Sequence, residues 1–247
     1  MEGPLAYLAS IDKLKACDTF FVASLSYRAV LGIIFGPAAL SVALSVILDT
    51  TLRFSSFDEF WNVFVWIIPL MQALFFVAVL VALRRENSSL RQLVNFQRRL
   101  VARDVGLGVS LYIVGFGIII AYVYAWSLFQ PSYASPSIGR ASALFIILVG
   151  SLTAGVFEET IWRGYGISRL EKLMGNSTSA AVVSSFGFSL WHVPHPGGPL
   201  YNMPYTFLVG LVYSYAYIRL RRLFPLMLGH WLTDAIGFTM SYLFTSS

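Results

Sequence analysis

Apolar residues in this chain come in runs of about 20, separated by short breaks rich in charge, glycine or proline. The runs lie near 23–48, 60–83, 105–129, 142–166, 178–196, 203–218 and 224–245. That is the length an α-helix needs to cross a hydrocarbon core of about 30 Å. A closed β-barrel also satisfies backbone groups in lipid, but its strands alternate between apolar and polar. Val77–Leu83 and Leu144–Val149 are apolar at every position. The pattern predicts an all-α, polytopic transmembrane helical bundle of about seven to eight spans. It forms a single membrane domain over residues 1–247, without an internal repeat. The eighth element would be interfacial or re-entrant, in Met1–Phe20 or in the amphipathic, arginine-rich stretch Leu90–Val101.

Composition agrees with the pattern. The chain is 57% hydrophobic and 12% charged, about half the charged share of a soluble domain, and its mean hydropathy is +0.71. A net charge of +5 would point to nucleic acid in a soluble protein, but here the positions of the charges account for it. Lys13 and Lys15 precede the first run, and Arg84, Arg85, Arg91, Arg98, Arg99 and Arg103 follow the second. Arg169 and Lys172 follow the fourth run, and Arg219, Arg221 and Arg222 follow the sixth. The intervening links hold Arg53 and Arg140 alone. Because basic loops stay on the cytoplasmic side, the N-terminus is expected in the cytoplasm. The chain then reads as an integral protein of a bacterial inner membrane whose partners are lipids, not nucleic acid. The single cysteine, Cys17, excludes an intrachain disulfide and a Cys₄ zinc site.

Six ionisable side chains interrupt the apolar runs: Glu158, Glu159, Arg163, His192, His230 and Asp234. A charge in hydrocarbon is costly unless paired or wetted, so such residues point to function. Carboxylates, imidazoles and a guanidinium also suit proton transfer and water activation. Glu159 and Arg163 are four apart with the acid first, the favourable order for a helical ion pair. Glu158, about 100° round the helix, stays free to face a cavity. Phe188 and His192 are four apart, so the ring can buttress the imidazole. His230 and Asp234 share a face in the same way. Read singly, each segment also fits a structural role: an interfacial salt bridge, a histidine satisfied by a carbonyl, a buried mutual pair. His195, between Pro194 and Pro196, reads as a loop residue, and Gln72 as a hydrogen-bonding contact between helices.

The turn Gly175-Asn176-Ser177 ties two of these segments together. Glu158 lies 17 residues before Gly175 and His192 lies 17 after it. Equal arms of a helical hairpin bring both to the same depth, about 25 Å from the turn, where they can hold one water between them.

In order, the segments Glu158-Glu159-Thr160-Ile161-Trp162-Arg163, Phe188-Ser189-Leu190-Trp191-His192 and His230-Trp231-Leu232-Thr233-Asp234 resemble the CPBP family of intramembrane proteases. That family includes the type II CAAX prenyl endopeptidases and the bacteriocin-processing and immunity-associated proteins. The resemblance covers residues 142–245, the expected catalytic core. It implies Glu158 as the general base, His192 sharing or orienting its water, and His230 with position 234 stabilising an oxyanion. Glu159 and Arg163 would shape the electrostatics. Asp234 departs from the asparagine typical of the prenyl-protease branch. An ionised Asp234 cannot donate to an oxyanion, so it is either protonated or, the favoured reading, acts through His230 by keeping that ring cationic.

The resulting expectation is an intramembrane endopeptidase acting on a prenylated, leader or otherwise membrane-associated peptide, with no cofactor required. A divalent metal such as zinc held by Glu158, His192 and His230 is the alternative, although a His-Glu-x-x-His helix is absent. Two other classes remain: a non-catalytic immunity or scaffold protein that binds a peptide or partner, and a proton-coupled transporter, which lacks support from any inverted repeat.

Overall fold

A computed structural model describes residues 27–129 and 136–245. Every regular element among the described residues is helical. Helix α1 (Tyr27–Leu52) turns into α2 (Phe57–Arg85), whose N-cap Ser56 accepts from Glu59 N at 3.3 Å. A short α3 (Leu90–Val94) opens on Ser89 and Gln92, each side chain bonded to the other's backbone N–H. After one 3₁₀ turn comes α4 (Val101–Ser127). Next, α5 runs unbroken over Arg140–Met174. Gly175, at φ 66°, ends it in the left-handed conformation, and Asn176 caps α6 (Ser177–Trp191) through Ser179 N. Two further helices, α7 (Gly198–Leu220) and α8 (Phe224–Thr245), complete the chain.

Each of the seven apolar runs therefore carries a helix. Four segments are long and apolar enough to cross a membrane: α1, α2, the stretch Leu90–Ser127 and α5. Helix α6, at 15 residues, extends about 22 Å, short of a full hydrocarbon core of about 30 Å. The run expected at 142–166 continues to Met174 because Arg169, read as a loop charge, is buried against Glu86 at 2.6 Å. Arg222 likewise pairs with buried Asp104 at 2.8 Å. Within Leu90–Val101 a single turn of α-helix docks on the bundle, burying Leu93 and accepting Leu223 N at Val94 O (3.1 Å). The segment Met1–Phe20 lies outside the described residues.

Trp162, Trp191, Phe64, Ile34 and Leu223 centre the core. Helices α4 and α8 approach closely at Gly108 and Gly229. A Cβ on Gly229 would meet Gly108 O at 2.8 Å, whereas one on Gly117 would meet nothing within 4 Å. Packing of these two glycine positions brings α8, and with it His230, against the rest of the bundle.

Candidate active site

Residues Ala154–Ile167 of α5 are wound as a π-helix, the widened form that recurs at functional sites. Nothing in the local composition announced it. This segment buries Glu158, Glu159 and Arg163 together, at 2%, 0% and 1% exposure. Glu159 Oε1 accepts from Arg163 Nη1 at 3.0 Å, the pairing expected from their spacing. The same oxygen lies 2.7 Å from His230 Nδ1 on α8. A carboxylate oxygen accepts, so Nδ1 carries the proton and the ring presents Nε2 to the cavity. That nitrogen stands 3.8 Å from Glu158 Oε2 and 3.6 Å from Asp234 Oδ2. His230 is thus surrounded by three carboxylates, and its shortest contact is with Glu159, not with Asp234.

Glu158 Oε1 is held by two donors, Gln72 Nε2 at 2.7 Å and Trp191 Nε1 at 2.9 Å. Gln72 is itself oriented by Thr153, whose hydroxyl donates to Gln72 Oε1 at 2.7 Å. Glu158 Oε2, also buried, has no hydrogen-bond partner among the described residues. An unsatisfied buried carboxylate oxygen is costly, and such groups concentrate where chemistry occurs. One oxygen is clamped and the other is presented to His230.

His192 caps α6, and its Nδ1 sits 2.9 Å from Phe188 O. A carbonyl only accepts, so Nδ1 donates and Nε2 of the neutral ring keeps a lone pair. The hairpin does bring the two arms to one depth, but the side chain bonded to Glu158 is Trp191, one residue before His192. Phe188 links the groups. Its ring centroid is 4.7 Å from that of His192 and 5.8 Å from that of His230. The Arg163 guanidinium carbon lies 4.2 Å from the same centroid, a stacking that stabilises a desolvated cation.

All six candidates line one cavity of about 820 Å³. His195, expected as a loop residue, lines it too, with its ring 4.7 Å from that of His192 and 5.4 Å from that of Trp61. The Asn202 amide pins this loop by donating to His195 O at 3.0 Å and Pro196 O at 2.8 Å. Among the described residues, no group of three or more His, Cys, Asp or Glu side chains is placed to hold a metal ion. His192 Nδ1 and His230 Nδ1 are engaged by Phe188 O and Glu159 Oε1, and Glu158 Oε1 by an amide and an indole, which leaves both Nε2 atoms and Glu158 Oε2 outside these hydrogen bonds.

The family model described as type II CAAX prenyl endopeptidase Rce1-like matches residues 140–236. Over this segment the chain is similar to that family. The match runs from the start of α5 into α8 and contains every one of the six residues. No curated protein and no solved structure matches the chain. The Rce1-like family is one of proteases, and with the long apolar helices it marks this chain as an integral membrane protein.

Proposed function

We propose that this protein is an intramembrane endopeptidase in which Glu158 activates water for attack on a peptide bond. The observation that carries this reading is the division between the two oxygens of Glu158. Oε1 is fixed by Gln72 and Trp191, and Oε2 is aimed at the cavity, 3.8 Å from His230 Nε2. A water on Oε2 would lose its proton to the carboxylate as its oxygen attacks the scissile carbonyl. His192, with Nδ1 locked on Phe188 O, offers Nε2 as a second acceptor that orients the same water. His230, tied through Nδ1 to Glu159, would present Nε2–H to the oxyanion of the tetrahedral intermediate. Asp234, at 3.6 Å from Nε2, supports the cationic ring instead of donating. Arg163 holds Glu159 in place. The proton taken by Glu158 then passes to the leaving amine. No step requires a metal.

A hydrophobic or lipidated peptide suits the cavity, whose walls above the ionic floor are mainly aromatic and aliphatic side chains, among them Phe116, Ile120, Val123, Tyr124 and Phe238. Burial of fixed dipoles away from bulk water strengthens their action on the developing charge. The test is cleavage of an apolar peptide by the purified protein. Glu158→Gln and His192→Ala should each abolish turnover while the helical circular dichroism and thermal transition stay in place. Binding without turnover by the unaltered protein would instead identify a scaffold.

A further inference from the structure

The two ends of the bundle differ in charge, and the cavity reaches one of them. At the first end Asn95 Nδ2 donates to Arg221 O at 2.9 Å. Three ion pairs close it: Arg169 with Glu86 at 2.6 Å, Arg222 with Asp104 at 2.8 Å and Arg221 with Glu171 at 2.6 Å. At the second end Asn62 Nδ2 donates to Ser137 O at 3.1 Å, and Tyr122 OH donates to Leu200 O at 3.1 Å. The Trp126 and Tyr201 rings meet there at 5.5 Å. Among the described residues, every lysine and arginine belongs to the first end except Arg53, Arg140 and the buried Arg163. The acids Asp49, Asp58 and Glu59 belong to the second.

From the ionic floor outward, the cavity wall is built by Trp61, Val123, Tyr124, Ile138, Tyr201 and Phe244, all of the second end. No residue of 84–104, 164–187 or 214–229 contributes to it. Basic segments are retained on the cytoplasmic side, and the aromatic rings around the mouth fit the headgroup level. A substrate anchored in the cytoplasmic leaflet would have to pass the end that carries these ion pairs, two of them buried.

We infer that the site opens to the non-cytoplasmic face. Its substrate is an exported or membrane-anchored peptide whose scissile bond lies on that side and whose apolar flank runs along the cavity wall. This rests on the peptidase reading of Glu158. The experiment places single cysteines in full-length Cys17→Ser protein, in cells, at sites that keep every arginine: Ser55→Cys and Ser137→Cys at the mouth end, Thr178→Cys at the other. A membrane-impermeant maleimide on intact cells should label the first two, and Thr178→Cys should react only after permeabilisation. The reverse pattern overturns the proposal. Turnover of the apolar peptide in detergent is measured on the same variants. Reversed labelling with turnover intact refutes the access side alone, whereas expected labelling with no turnover refutes the peptidase reading.

Discussion

His230 Nδ1 lies 2.7 Å from Glu159 Oε1, and that same oxygen holds Arg163 Nη1 at 3.0 Å. One carboxylate therefore fastens α8 to α5 and decides which nitrogen of His230 faces the cavity. The charge of Glu159, and not its shape, is what both partners need.

Glu159→Gln preserves shape and removes that charge. It should lower kcat by about 10²–10³-fold, the scale of losing a preorganised donor, with KM little altered. A buried Arg163 left without its counter-charge should also cost about 3–5 kcal/mol of stability, read as a fall in melting temperature. A folded variant with unaltered turnover would remove Glu159 from this account.

Trp191→Phe and Gln72→Leu each delete one donor to Glu158 Oε1 and keep most of the side-chain volume. A hydrogen bond to a charged group contributes about 1.5–3 kcal/mol, so kcat should fall roughly 10- to 100-fold in each. Because the two donors share an acceptor, the double variant should depart from additivity. Strict additivity would mean that they act on different groups.

Gly155→Ala tests the seat of α8. The new Cβ would stand 2.7 Å from Met227 O and 3.0 Å from Trp231 Cβ, one of them backbone. Overpacking of this kind costs about 1–3 kcal/mol, and a displacement of His230 by about 1 Å should cost on the order of 10² in rate. Gly117→Ala, with nothing within 4 Å, is the neutral control. Equal behaviour of the two in turnover and melting would contradict the packing described.

At the closed end, Glu86→Gln should destabilise by about 3–5 kcal/mol, because Arg169 is buried and would lose its partner. Replacing both together, Glu86→Leu with Arg169→Met, should restore much of the loss. Turnover per folded molecule should be the same in all three. A selective loss of kcat in any of them would tie this end to the chemistry.

Exhaustive chelation with metal analysis should leave peptide cleavage unchanged, since the proposed mechanism assigns each proton transfer and the oxyanion contact to Glu158, His192 and His230. Loss of activity on stripping, restored by zinc alone, would require a different arrangement of these side chains.

Much of the fold was legible because it is local. Runs of about 20 apolar residues specify helices wherever lipid or protein covers them, and the seven helices stand where the runs stand. Four-residue spacings likewise specify neighbours on one helix, so Glu159–Arg163 and Phe188–His192 were both readable. The family resemblance, carried by three such spacings in order, agrees with the family match over 140–236.

Contacts between distant helices were not readable. Gln72 and Trp191 reach Glu158 across 86 and 33 positions, and no spacing rule links an amide on α2 to a carboxylate on α5. His230 lies nearer to Glu159, 71 positions away, than to Asp234 on its own helix, a pairing that exists only once α8 has packed on α5. Arg169 and Arg222 looked like loop charges, yet each is buried beside an acid from another segment. Periodicity states which residues share a face. Which faces meet, and at what rotation, follows from packing summed over the whole bundle, where every helix competes for the same few neighbours.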